Sequence, residues 1–198
     1  MKKFFLLFIT AVMVASCTTM STKQLLKTLK NSIDNDIDDV GQTLIDHGFT
    51  ESSRRFAEKV IFEHGDTMVY VIVSMADQRK VGGAYVCINC ANAERALKQY
   101  HEFRDLCRED DKFYGAKVIK VFAKTPEEAL YSSTDPATID TLTAKTIEER
   151  EISTINERWE DGANPDNRTV VAMFKNQFGG YSVTAVFRTS LANPKGFE

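Results

Sequence analysis

The sequence predicts an α+β domain, a mainly antiparallel sheet of about five or six strands with helices packed on it. Three observations lead there. Apolar residues recur every three or four positions in 25–44 and again in 93–107, the spacing of one helical face. Residues 55–89 hold β-branched and apolar runs broken by short polar turns, as in a strand meander. A second pair of such runs, Thr169–Phe174 and Tyr181–Arg188, flanks Gly179-Gly180 as a hairpin.

Taken in order, the first helix starts near Ser21, which forms a capping-box pair with Gln24. Leu25, Leu26, Leu29, Ile33, Ile37, Val40 and Leu44 form its stripe, and Gly48 after His47 suits its C-terminal cap. Phe56, Val60 and Phe62 precede the turn His64-Gly65-Asp66. Met68–Met75 is apolar on both faces, as a central strand is. Asp77–Lys80 connects it to a returning strand, Gly82–Asn89, so residues 55–89 form a three-stranded meander.

Ala91–Leu106 is an amphipathic helix with Ala93, Ala96, Leu97, Tyr100, Phe103 and Leu106 on one face. A short strand follows at Lys117–Ala123. Thr125-Pro126-Glu127-Glu128 begins a further helix, with Thr as cap and Pro at the first position. Asp135-Pro136 opens another helical stretch. Ile139 and Leu142 face one way there, while Ile152, Ile155 and Trp159 lie about 180° round, so two helices with a break near Ala144–Glu148 are expected. Gly162–Asn167 is a loop. The hairpins Val69–Val86 and Val170–Phe187 echo each other, each with a polar turn and a Gly-Gly pair (Gly82-Gly83 and Gly179-Gly180). Glycine pairs at turns recur for steric reasons alone, so this is a weak repeat.

The N-terminus has the layout of a secretory signal: Lys2-Lys3, the apolar run Phe4–Val14, then Ala15-Ser16 before Cys17. The apolar run falls short of the about 20 residues that cross a bilayer. Val14-Ala15-Ser16-Cys17 resembles the lipobox of bacterial lipoproteins. That resemblance implies cleavage between Ser16 and Cys17, diacylglycerol on the Cys17 thiol and acylation of the new amine with a chain such as palmitate. Several acyl chains on one residue give near-permanent anchoring, since each buried CH₂ contributes about 0.8 kcal/mol. Thr18 after the cysteine implies the outer membrane under the enteric sorting rule. The Phe-rich leader and Thr-rich start resemble those of Bacteroidetes lipoproteins, and without an acidic export tag in Thr18–Gln24 the expected site faces the periplasm. The expected organisation is a signal peptide at 1–16, a short lipidated tether at 17–20 and one α+β domain at 21–198.

The whole chain of 198 residues carries a net charge of −3, and loss of Lys2 and Lys3 with the leader takes it to −5. No basic block appears, which argues against a nucleic-acid partner. Cys87, Cys90 and Cys107 remain in the body, an odd set that allows at most one disulfide. Cys90 and Cys107 flank a helix of over ~20 Å at 1.5 Å per residue, too far to bond.

Cys87-Ile88-Asn89-Cys90 is the catalytic-looking motif. It lies where a strand passes toward a helix, the setting in which thioredoxin-like proteins place a reactive pair, and a helix N-terminus acidifies a nearby thiol. Against it, the upstream strands are antiparallel. Strand alternation also puts the two thiols on opposite faces, as small core residues. A metal site from Cys87, Cys90, His101 and Cys107 lacks knuckle spacing at both ends. Asp34–Asp39 fails as a calcium loop, since Asp39 and Ile45 stand where Gly and Glu are needed. Its plainer reading is the solvated face of the first helix. Asp66-Thr67-Met68 and Asp140-Thr141-Leu142 resemble short O-glycosylation sites of Bacteroidetes exported proteins.

The sequence therefore points to a non-enzymatic envelope lipoprotein with no cofactor or metal, held to the membrane by lipid and binding an envelope protein or a small ligand. The alternative from another class is a lipid-anchored thiol-disulfide oxidoreductase working through Cys87 and Cys90.

Overall fold

The computed structural model describes residues 20–54, 56–109, 113–122, 131–133, 140–161, 167–192 and 194–197. The leader, Cys17, the Thr125-Pro126 helix start, Asp135-Pro136 and most of the Gly162–Asn167 loop lie outside them.

The expected single first helix is two helices, α1 (Thr22–Asn31) and α2 (Ile37–Asp46). Ser21 caps α1 through the reciprocal pair with Gln24. The apolar phase does run through residues 33–40, but backbone bonding overrides it. Asp34 takes a left-handed conformation at φ 66°, which short polar side chains tolerate best. The Asp34 and Ile37 amides donate to the Val81 and Arg79 carbonyls, and the Val81 amide donates to the Asn35 carbonyl. Asp36 then caps α2 by accepting from the Asp38 amide at 3.1 Å. The Asp-rich run is thus a stitched break and a cap, not a solvated helix face. Gly48 follows α2 with φ 89°, as its capping role requires.

Residues 50–90 form β1 (Thr50–Glu51), β2 (Lys59–His64), β3 (Thr67–Val73) and β4 (Val81–Cys90), all antiparallel. β2 to β4 are the expected meander. The next helix, α3 (Ala93–Arg108), is capped by Asn92. β5 (Phe113–Phe122) and β6 (Tyr131–Ser133) follow, then the short helix α4 (Ala144–Glu149), β7 (Thr154–Asp161), β8 (Arg168–Lys175) and β9 (Tyr181–Arg188). A 3-10 turn, Pro194–Phe197, ends the described chain.

The strands make one antiparallel sheet of nine, in the order β1-β2-β3-β4-β9-β8-β7-β5-β6. The fold class is α+β with an antiparallel sheet, and the strand count exceeds the sequence reading. One source of the excess is β7. Ile152, Ile155 and Trp159 fit a helical spacing, but Ile155, Glu157 and Trp159 alternate at period two and all three are buried. α4 occupies the expected break, and Glu151 at φ 48° ends it.

Among the described residues, α1 and α3 pack on one face of the central strands. Phe62, Val69, Val86, Ala185, Val171 and Glu157 form one cross-strand row on that face, each nearly or fully buried. Tyr100 and Phe103 of α3 and Leu25, Leu26 and Leu29 of α1 close over it. Lys23 of α1 meets Glu109 at the far end of α3, 3.3 Å away.

The two apolar hairpins of the sequence echo are β3-β4 and β8-β9, and they meet at the centre of the sheet. β4 and β9 pair antiparallel, from Gly83 opposite Arg188 to Cys90 opposite Tyr181. Each half runs from helix to a three-strand meander, β2-β3-β4 or β7-β8-β9, placed about the β4–β9 seam as a twofold operation would place them. The glycines obey the same relation. A Cβ on Gly82, at the start of β4, would lie 2.8 Å from the Ala192 Cα just beyond β9. One on Gly180, at the start of β9, would lie 2.7 Å from the carbonyl oxygen of Cys90, which ends β4.

Candidate functional site: the sheet face opposite α1 and α3

Alternation sends every second side chain of these strands to the opposite face. There Tyr70, Tyr85, Val186 and Val170 form one cross-strand row, and Met68, Cys87, Thr184 and Ala172 the next. All of these are partly exposed except Cys87, which is buried. The 3-10 turn packs over the Ile72 corner, where Ile72 Cγ2 meets Gly196. Elsewhere, among the described residues, no helix lies over these rows.

The centre is aromatic. The rings of Tyr70 and Tyr85 stack 4.1 Å apart and 9° from parallel. Lys59 Nζ sits 5.2 Å from the Phe56 ring and 5.8 Å from Tyr70. Tyr70, Tyr85, Cys87, Phe174, Thr184 and Val186 line a depression of about 400 Å³. Phe174 also borders a second depression of about 940 Å³ toward the β8–β9 turn. The polar end is held by a chain of bonds: the Ser182 hydroxyl donates to Asn89 Oδ1 at 2.9 Å, and Asn176 Oδ1 accepts from the Phe178 and Gly180 amides. That fixed turn leaves Phe178 87 % exposed.

Burial, more than any charged neighbour, sets the chemistry here. It pushes the Tyr85 hydroxyl well above its ordinary range, with the Tyr70 and Cys87 charges adding to the effect. Tyr70 is raised for the same first reason. Both rings are therefore neutral hydroxyl donors with apolar faces.

The sequence candidates Cys87 and Cys90 are placed apart. Both belong to β4 itself, before α3 begins. Cys87 points into the aromatic face, and Cys90 into the core beneath the helices. Both are reduced and buried, as is Cys107. Burial raises the Cys87 thiol, against a lowering bond from Ser182. Burial also raises Cys90, against a lowering effect of Arg95. An attacking thiol requires the thiolate and a partner on the same face, and neither condition is met at this pair.

The structure also does not assemble Cys87, Cys90, His101 and Cys107. Among the described residues, no group of three or more His, Cys, Asp or Glu is placed to hold a metal. Asp34, Asp36 and Asp39 line a separate depression of about 660 Å³ between α1 and α2, shared with Lys27 and Lys80.

One charged cluster escaped the sequence reading. Glu157, fully buried on β7, accepts from the Tyr100 hydroxyl at 3.2 Å and from Arg108 Nη2 at 3.0 Å. Arg104, almost wholly buried, lies 3.7 Å from the same carboxylate and bridges Asp140 and Asp105. Burial raises the Glu157 carboxyl, while the Arg108 and Arg104 charges pull it back. The cluster opens into none of the depressions above and clamps α3 to β7. Its signal in the sequence was a glutamate in period-two phase with Ile155 and Trp159.

Comparison with known proteins finds no match: no family model, no curated protein and no solved structure is similar to this chain.

Proposed function

We propose that this chain is a bacterial envelope lipoprotein, a non-enzymatic binding module whose binding element is the sheet face opposite α1 and α3. Cys17 is its lipidated residue, and the expected address is the periplasmic side of the outer membrane. Support for the anchor is the motif Val14-Ala15-Ser16-Cys17 behind a cationic, apolar leader. Ser21 caps α1 only four residues beyond Cys17, which keeps the tether short. The observation that carries the binding role is the partly exposed row of Tyr70, Tyr85, Val186 and Val170. Apolar surface of this kind, framed by polar groups, is what ligand and partner sites offer.

Two measurements in the producing bacterium test this reading. Alkyne-labelled palmitate should enter the wild-type chain and not Cys17→Ser, and Cys17→Ser should leave the membrane fraction. A photoreactive side chain replacing Thr184, on the open face, should give an adduct that the same group at Lys98, on the outer face of α3, does not. A Cys17→Ser form that stays anchored removes the lipid reading. Identical results at Thr184 and Lys98 remove the binding face.

A further inference from the structure

The depression at the β8–β9 turn combines a polar cross-strand row with a projecting aromatic ring. Asn89 of β4 pairs with Ser182 of β9, which pairs with Phe174 of β8. The Asn89 backbone amide donates to the carbonyl of Asp66, which ends the row at the turn before β3. All four residues line the depression, whose volume of about 940 Å³ is that of a small-molecule site. Phe178 lines it too, and is the most exposed large apolar side chain among the described residues.

The polar row is oriented in advance. Asn176 Oδ1 accepts from the Phe178 amide at 3.0 Å and from the Gly180 amide at 3.1 Å. A backbone N–H only donates, so Nδ2 is the donor end of Asn176. It donates to the Ser182 hydroxyl at 3.5 Å, and that hydroxyl donates to Asn89 Oδ1 at 2.9 Å. The relay leaves Nδ2 of the exposed Asn89 as a donor without a partner among the described residues. Asp66 gives Oδ2 to Arg95 at 3.2 Å and keeps Oδ1 as an acceptor. That contact pairs their charges. The ring is held as firmly. Gly179 sits at φ 84°, and a Cβ on Gly180 would lie 2.7 Å from the Cys90 carbonyl oxygen, so the turn has a fixed base against the end of β4.

An exposed ring beside free donors and acceptors fits a sugar best. Sugar hydroxyls both donate and accept, and the polarised C–H bonds of the ring seat on the negative face of an aromatic. An apolar ligand would strand Asn89 and Asp66. A protein hot spot is a fully desolvated pocket, whereas the Arg95 and Asp66 side chains here are 56 % and 60 % exposed. Resting on the binding role proposed above for this sheet face, we infer that its β8–β9 end binds a neutral oligosaccharide. One sugar ring stacks on Phe178. Its hydroxyls accept from Asn89 Nδ2 and donate to Asp66 Oδ1, and Gln177, exposed on the same turn, bonds the next unit.

The test presents the full chain, in polymer-bounded membrane discs, to immobilised maltohexaose, cellohexaose, xylohexaose, laminarihexaose and hexagalacturonate. At least one neutral chain should bind, and more tightly than the acidic one. Phe178→Ala should weaken that binding roughly tenfold, about 1.4 kcal/mol, and Phe178→Trp should retain it. Asn89→Ala should weaken it as well, Lys98→Ala should not, and circular dichroism reports whether each variant is folded. Binding of no neutral chain, or binding indifferent to Phe178→Ala, would overturn the inference. So would tightest binding of hexagalacturonate, which would make the exposed Lys175 at the edge of the depression the selecting group. Benzoylphenylalanine in place of Phe178 in the producing bacterium should not crosslink to a protein, and a protein adduct there would make a protein the occupant. If the Thr184 photoadduct in cells persists while every oligosaccharide fails, the ligand class falls and the binding face stands. If an oligosaccharide binds through Phe178 while Thr184 and Lys98 behave alike, the sugar site stands and the aromatic rows fall.

Discussion

Arg108 reaches from the last turn of α3 to the carboxylate of Glu157 on β7, with Nη2 3.0 Å from Oε2. Glu157 is fully buried, and Arg104 and Tyr100 share it. Two cations thus depend on one carboxylate. Glu157→Ala should cost about 3–5 kcal/mol, the range for stranding buried charge. Denaturant unfolding of the full chain checks this. Loss of under ~1 kcal/mol would mean that Asp140 and Asp105 alone satisfy the arginines.

The aspartate run at the α1–α2 break predicts opposite responses at neighbouring positions. Asp36→Ala removes the α2 cap and should destabilise by about 1 kcal/mol. Asp34→Gly relaxes a left-handed residue and should be neutral or mildly stabilising. Thermal melts of the two variants should move apart. Equal losses would place the break elsewhere.

Gly82 and Gly180 have backbone where a side chain would go. Either one changed to Ala forces apart the end of one central strand and the start of the other. Each should cost about 1–3 kcal/mol by overpacking. The unfolding midpoint should drop with an unchanged slope on denaturant. If only one of the two destabilises, the relation about the seam is decorative.

Trp159, the chain's only tryptophan, is 1 % exposed. Its emission should be blue-shifted and shielded from acrylamide until the protein unfolds. Trp159→Ala should cost about 3–5 kcal/mol. Ready quenching of the native protein would contradict its place in the core.

The thiols give a pH prediction. Burial raises Cys87 and Cys90 above the usual cysteine value, so the fold favours the neutral form. That part of the stability is present below the unfolded cysteine pKa and is lost as pH rises through the raised folded values. Alkylation of both residues at pH 8 should be far slower in the folded than in the unfolded chain. Cys87→Ser and Cys90→Ser should leave insulin reduction at the background rate. Fast alkylation of Cys87 together with turnover would revive the thiol enzyme.

Much of the frame was legible locally. Ser21 with Gln24 marked the start of α1, and the runs at 59–90 and 168–188 marked the strands, because caps and alternation are short-range signals. The failures came where local and distant terms compete. The stripe through Ile33 and Ile37 is helical in phase, but the bonds at Asp34, Asn35 and Ile37 go to Val81 and Arg79, far along the chain. Ile152, Ile155 and Trp159 satisfy two periods at once, and the neighbouring strands decide between them. Of the site, only Cys87 was named beforehand. Tyr70 and Tyr85 are ordinary strand aromatics until register stacks them.

α3 has one further effect. Its C-terminal end is tied to Lys23, close to the residue proposed to enter the bilayer, while its N-terminal end emerges beside the β8–β9 turn. Sixteen residues at 1.5 Å per residue make it a strut of about 24 Å. Lys23 and the Phe178 turn therefore sit at opposite ends of that strut. A partner that meets Phe178 does so a helix length away from the α1 end.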